Sequence, residues 1–273
     1  MVGGVIAMSY FCGFRPMSIA LTAMVALGVV SFQAAENVLN DYFDTVRGVD
    51  APGAPGVMMR PHSFYGLGID LGRLKAFGAS LFAFGSALVA IATLAFNRPL
   101  LPLFLAVGAF LLFCYSGPVG LKYMGLGELD VFVTAVLMIV GAAYTVSGAL
   151  SLREAVLSLP MAFITSSVVL ADNIRDYEWD KAHGVRTLPV RVGKAAASWL
   201  YAAMVLTSLL LPAALLWPWG LLTLAVAPAA VPAVLTVLGV RSEPLLKANR
   251  YRFYVTVLLA TAYSIAIALS SHP

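Results

Sequence analysis

Charge is what this sequence has least of. Of its 273 residues only 11% are Asp, Glu, Lys or Arg, while 61% are hydrophobic; a soluble domain carries about 25% charged residues. So little charge cannot cover a water-facing surface, which excludes a soluble enzyme held by a single anchor. Cysteine is also scarce. Cys12 and Cys114 are far apart and lie in apolar surroundings, so neither a disulfide framework nor a metal-thiolate centre is indicated. The start lacks the basic n-region of a cleavable signal peptide. The net charge of +4 does not call for nucleic acid as a partner, because Lys and Arg accumulate in the cytoplasmic loops of membrane proteins.

What is present in abundance is apolar sequence in runs near 20 residues, the length that crosses a ~30 Å hydrocarbon core. Hydropathy and breakers together predict spans at 17–39, 76–96, 100–117, 129–149, 155–171, 195–216, 220–240 and 253–270. Residues 2–11 are apolar but too short to cross unaided, and read as the second half of a further helix. The expected fold is an all-α polytopic membrane bundle forming one unit over 1–273, with eight full spans and a partial first helix.

The basic residues divide by side. Fourteen of the 17 Lys and Arg fall in alternate connections, leaving Arg15, Arg98 and Arg153 for the others. By the positive-inside rule the richer side is cytoplasmic, giving a multi-pass protein of the plasma membrane. Connections on the other side are short. Two on the rich side are long and hold most of the acids, and loops beyond ~12–15 residues are usually functional or disordered.

The first of these long connections opens Asn40-Asp41-Tyr42-Phe43-Asp44 and continues to Asp50; the second runs Asp172-Asn173-Ile174-Arg175-Asp176 and on to Asp180. Together they hold seven of the 13 acids. Asn40 and Asp44 repeat the four-residue step of Asp172 and Asp176. If the second span's helix continues, Asp172, Asp176 and Asp180 project from one face, where like charges demand a counter-charge. Mg²⁺ supplies one, binding through one or two carboxylates plus substrate phosphates. Both motifs open on the same membrane side, so they can clamp one diphosphate between two ions. Arg60, Lys181 and Arg186 follow the motifs and can neutralise a departing diphosphate.

The stretches NVLNDYFDTVRGVD, MMRPHSFYGLG, YSGPVGLKYMGLGELD and DNIRDYEWDKAHGVRTLPVRVG resemble, in order, those of the UbiA superfamily of membrane prenyltransferases. That family's signature is a pair of acidic motifs, NDxxD and DxxxD. The last stretch and LKYMGLGE are most similar to the menaquinone-pathway branch, which prenylates 1,4-dihydroxy-2-naphthoate with loss of carbon dioxide. The resemblance implies a nine-helix fold around a central cavity, Mg²⁺ (two ions bridged by the diphosphate), an isoprenyl diphosphate donor and an aromatic acceptor. It departs from the common pattern at Gly48, where many members carry a third aspartate; Asp50 follows two residues later, as it tends to in the naphthoate branch.

Carried over residue by residue, Asn40, Asp44, Asp172 and Asp176 are the expected metal ligands, with Asp41 and Asp180 assisting. Asp44, Asp172 and Asp176 are the expected catalytic set. Arg60, Lys122, Lys181 and Arg186 are expected on the diphosphate, although Lys122 reads equally as a topology signal. Tyr115 and Ser116 are expected on the wall of the acceptor cavity. Two other readings remain: a glycerol-phosphate acceptor, as in ether-lipid synthesis, and a membrane transporter. The second fits poorly, because the span interiors hold almost no acids, whereas transporters place ionisable groups near the midplane.

Overall fold

Apolar runs in lipid leave backbone N–H and C=O groups with no partners but one another, and the chain answers with helices throughout. The computed structural model describes residues 16–59, 61–241 and 245–270, and no strand occurs among them. In chain order the elements are α1 (Pro16–Val46), α2 (Pro55–Met59), α3 (Leu71–Ala95), α4 (Leu101–Tyr115), a 3₁₀ turn at Leu121–Met124, α5 (Gly127–Ser147) and α6 (Leu152–Arg175). There follow α7 (Tyr177–Ala182), α8 (Leu188–Val192), α9 (Lys194–Leu215), a 3₁₀ segment at Trp219–Val226 that leads into α10 (Ala227–Val237), and α11 (Leu245–Ser270).

Among the described residues seven helical stretches are long and apolar enough to cross a membrane. The eighth apolar helix, α4, has 15 residues and reaches about 22 Å. These eight correspond one to one with the expected spans. The expected half-helix at 2–11 lies outside the described residues. The two acidic motifs lie at the C-terminal ends of α1 and α6 and come together, Trp179 of α7 bonding the Val49 carbonyl.

Two expectations change in detail. The first motif was expected in a loop, but α1 continues seven residues past Leu39 to Val46 and carries Asn40, Asp41 and Asp44 on its last two turns. The seventh span was expected as one helix, yet it is 3₁₀ over Trp219–Val226 and α-helical only from Ala227. Pro228 and Pro232 lack the N–H needed for i→i−4 bonds across that junction. Thr223 instead gives its hydroxyl to the Leu209 carbonyl of α9 at 2.7 Å.

Packing is uneven between the two halves. The main apolar core gathers Ile139 of α5, Met161 and Ile164 of α6, Val205 of α9 and Leu259 and Ile267 of α11. Tyr263 of α11 ties it shut with a 2.6 Å bond to the Leu157 carbonyl. The other half, α1 with α3, α4 and α5, has only small clusters such as Leu21, Val25 and Val29 against Ala142 and Val146. There α3 lies against α1 through bare backbone: a Cβ at Gly78 would come within 2.8 Å of Leu39, and one at Gly85 within 2.9 Å of Phe32. Small residues allow such close approach where no water drives association. Phe77, Phe84, Ile91 and Leu94 of α3 are exposed, forming an outward apolar stripe suited to lipid.

Candidate active site

Asn40 and Asp44 share one face of α1, a helical turn apart. Asp44 is only 1% exposed, and its carboxylate is heavily engaged. It accepts the Lys122 ammonium at 2.6 Å, the Asn40 amide at 3.0 Å and the Tyr123 hydroxyl. Lys122 and Tyr123 are placed there by the 3₁₀ turn, which is bracketed by Gly120 and Gly125 in left-handed conformation, each at φ 69°. The Arg47 guanidinium stacks 4.7 Å over the Tyr123 ring and donates to the Gly117 carbonyl.

Asp41 points to a different side of α1, where the chain after the motif folds back. Ser63 donates to Asp41 at 2.8 Å, and His62 Nε2 meets Asp50 at 3.0 Å. Asp41, Asp50 and His62 form the one His/Asp group among the described residues with metal-like spacing. The imidazole is committed otherwise, however. Nδ1 accepts the N–H groups of Phe64 and Tyr65 at 3.2 and 3.3 Å, which puts the ring proton on Nε2 and directs it at Asp50. His62 thus pins a turn.

The second motif straddles the end of α6. Arg175 donates twice to Asp176, at 2.7 and 2.6 Å, and once to Asp172 at 2.8 Å. Arg252 of α11 reaches Asp172 at 3.0 Å. The three aspartates were expected on one face. Only Asp172 and Asp176 share a partner, because the helix breaks at Asp176 and restarts as α7. Asp180 is turned inward, buried, and bonded to the Thr187 hydroxyl at 2.9 Å.

The two motifs meet. The Trp179 indole N–H of α7 bonds the Val49 carbonyl at 3.1 Å. Gly56 of α2 lies so close that a Cβ there would sit 3.4 Å from Arg175 Nη2 and 3.6 Å from Asp176 Oδ2. The electrostatics reflect this crowding. Burial pulls the Lys122 ammonium down, but the Asp44 carboxylate overcomes it and holds the group well above the usual lysine value. Burial, then the Asp44 charge, hold Asp50 above the ordinary carboxylate range, with Lys122 and His62 opposing. Burial pushes Asp180 up to about 6 although the Thr187 bond works against it.

A carboxyl raised above its unfolded value stabilises the fold most fully at low pH and loses that contribution as pH rises through the folded value. In EDTA, therefore, part of the protein's thermal stability is expected to disappear as pH rises through about 6. Asp180→Asn should remove that part of the fall. A pH–Tm profile identical in the variant and the parent counts against the account.

The remaining expected residues are distributed as follows. Lys181 and Arg186 are exposed on the motif face, Lys181 lying 5.8 Å over the Tyr177 ring. Tyr115 and Ser116 are buried; the Ser116 carbonyl accepts from the Tyr123 hydroxyl at 3.4 Å. Arg60 lies outside the described residues. An apolar cavity opens between α1, α3, α4 and α5; Tyr115 and Ser116 are not in its wall, and Phe32, Phe82, Phe104 and Glu36 are. Sequence reasoning passed over Arg175, Arg252, Tyr123, Trp179 and Glu36. Arg175 and Glu36 had a local signal, the first inside DNIRD and the second an acid within an apolar span. Arg252 had none.

A profile of the UbiA prenyltransferase family matches residues 2–258. UbiA prenyltransferase domain-containing protein 1 of Homo sapiens is 28% identical over 181 residues, which is 64% of this chain and 52% of that protein. The Drosophila melanogaster homolog of that protein is 28% identical over 191 residues, 68% of this chain and 52% of its own length. The chain spans about half the length of these curated relatives, and neither name specifies an acceptor. Among solved structures, a UbiA homolog from Archaeoglobus fulgidus bound to DMAPP and Mg²⁺ superposes with a TM-score of 0.61 at 16% identity, covering 98% of this chain and 94% of that one. A digeranylgeranylglyceryl phosphate synthase gives a TM-score of 0.60 at 20% identity, covering 99% and 92%. At these identities the likeness is one of fold.

Proposed function

The chain belongs to the UbiA prenyltransferase family, and we propose that it is a prenyl-transferring enzyme that moves a polyprenyl group from its allylic diphosphate to an aromatic acceptor, 1,4-dihydroxy-2-naphthoate. The observation that carries this reading is the meeting of two acidic helix ends on one face of the bundle, tied by Trp179 to Val49 beside an apolar cavity. The basic side chains flanking that face support its orientation toward the cytoplasm, and the proposal takes the membrane to be the plasma membrane.

The donor set suits a hard divalent cation. It is all oxygen, as Mg²⁺ requires, and Asn40 Oδ1 is buried with no hydrogen-bond partner. Cationic side chains already sit on these carboxylates, Lys122 on Asp44 and Arg175 on Asp172 and Asp176, so the ends are built for positive charge. Asn40, Asp44, Asp172 and Asp176 would hold Mg²⁺, with Asp41 and Asp180 behind them. When bound, Mg²⁺ supplies Lewis-acid stabilisation of the charge on the diphosphate.

The chain's own groups supply the rest. Lys122, Lys181, Arg186 and Arg60 offer positive charge to the departing diphosphate. The allylic C–O bond breaks with its electron pair leaving on the diphosphate. The acceptor ring supplies the pair for the new C–C bond and releases its carboxyl carbon as carbon dioxide. The apolar wall keeps water from the allylic cation meanwhile, and the faces of Phe32, Phe82 and Phe104 can stabilise it at ~0.5–2 kcal/mol each.

The test is purified protein with geranylgeranyl diphosphate, Mg²⁺ and either the naphthoate or glycerol phosphate, read by mass. The expected product is the prenylated, decarboxylated naphthalenediol. Product from glycerol phosphate alone would transfer the reading to ether-lipid synthesis, and no product from either would defeat it.

A further inference from the structure

Each of the four helices around the apolar cavity gives a glycine to its wall: Gly28 of α1, Gly85 of α3, Gly108 of α4 and Gly141 of α5. The four are there for two different reasons. A Cβ at Gly85 would stand 2.9 Å from the Phe32 ring, and one at Gly141 would stand 3.1 Å from the Phe104 ring. Those two glycines let wall phenylalanines lie back against the helices. At Gly28 and Gly108 a Cβ would meet nothing nearer than Leu88 at 3.9 Å and Leu137 at 3.6 Å, which is ordinary contact. Glycine inside a helix is destabilising relative to alanine, and no packing demand keeps these two bare. What their missing side chains leave is open bore.

The chamber has two distinct ends. Glu36, the one charged side chain in its wall, lies one helical turn before Asn40 and marks the end toward the acidic motifs. At the opposite end Ala92 and Leu101 of the wall are buried against Tyr144. Arg98 ties the connection between α3 and α4 to the last turn of α5 there, giving Nε to the Thr145 carbonyl at 2.7 Å and Nη2 to the Val146 carbonyl at 3.4 Å. A chamber with a floor can measure what enters it. We propose that Gly28 and Gly108, by leaving room at two depths, set the length of isoprenoid chain that the chamber accepts. The inference deepens the function proposed above and rests on it for the chain being that of an allylic diphosphate.

The two depths differ enough to be told apart. Gly108 lies seven residues before Tyr115 at the motif end of α4, about 10 Å down. Gly28 lies twelve residues before Asn40 on α1, about 18 Å down. An isoprene unit adds four carbon–carbon bonds of about 1.5 Å, hence about 5 Å of extended chain. A geranyl chain therefore ends near Gly108, a farnesyl chain passes it, and a geranylgeranyl chain reaches Gly28. A branched side chain placed at either depth takes the space the next unit needs.

Binding to the detergent-purified chain tests this without turnover. The probes are the S-thiolodiphosphates of dimethylallyl, geranyl, farnesyl and geranylgeranyl alcohols, titrated with Mg²⁺ and no acceptor, and corrected for partition into protein-free micelles. The wild type is expected to gain at least about tenfold in affinity per added unit up to geranylgeranyl. Gly108→Leu should keep the dimethylallyl and geranyl affinities within about twofold and lose the gains beyond them. Gly28→Leu should keep the gains through farnesyl and lose only the last. A structural defect has no reason to produce cut-offs ordered by depth. A wild type without the gains, a loss equal at all four lengths, unchanged gains in both variants, or cut-offs in the reverse order overturns the proposal. Should the leucine variants fail to fold, Gly28→Ala and Gly108→Ala decide: a loss of about threefold or more confined to chains beyond each depth supports it, and unchanged affinities overturn it. Ordered cut-offs in a protein that prenylates no naphthoate uphold the two glycines and defeat the acceptor assignment. Transfer to the naphthoate without ordered cut-offs does the reverse.

Discussion

Asp176→Ala is expected to lower prenyl transfer at least about a hundredfold while moving the unfolding temperature by only a few degrees. Asp176 is the cleanest of the motif acids to remove. Its side chain is 21% exposed and its partner is Arg175, which keeps a 2.8 Å bond to Asp172 when Asp176 is gone. No buried charge is therefore stranded, and loss of activity reports on the diphosphate site alone. Activity measured at saturating Mg²⁺ with a thermal melt of the same preparation decides it. Full activity, or a collapse of the melt, would contradict the placement.

Asp44 behaves otherwise, and here stability moves most. Asp44 and Lys122 are both largely buried and meet at 2.6 Å. Removing one partner of such a pair leaves an uncompensated buried charge, costing about 3–5 kcal/mol. Asp44→Ala and Lys122→Ala should each destabilise the protein on that scale, and the double variant by less than the sum, with a coupling of about 1–3 kcal/mol. All three should lack transferase activity. A double-mutant cycle by chemical denaturation in mixed micelles gives the coupling; strictly additive losses would mean the two groups do not share a bond in the folded protein. The contrast with Asp176 follows from burial.

The helices were legible because a membrane makes hydropathy decisive, and each expected span has its helix. The ends were not. Apolar content stops near Leu39 and Ala171, but the backbone stays helical to Val46 and Arg175, since polar side chains one turn apart satisfy each other there, Asn40 with Asp44 and Arg175 with Asp172. Shared spacing of the acids was visible in the sequence. Their cationic partners were not, because Lys122 reaches Asp44 across 78 residues and Arg252 reaches Asp172 from the last helix. Lys122 was ambiguous between topology signal and site residue because a lysine near a membrane face looks the same in either case until its partner is seen. Glu36 was visible and underweighted: a lone acid in an apolar run costs more than its single letter suggests.

The indole bond from Trp179 to the Val49 carbonyl acts as a fixed gauge at the mouth of the protein. It sets the width between the two acidic arms at the surface, while the walls of the apolar cavity beneath, apart from the close α1–α3 seam, meet through only small clusters of buried side chains. Lipidic guests of different girth can spread those lower walls without changing the jaw opening above. On the function proposed above, tolerance for the hydrocarbon and strictness toward the phosphates would come from different storeys of one building.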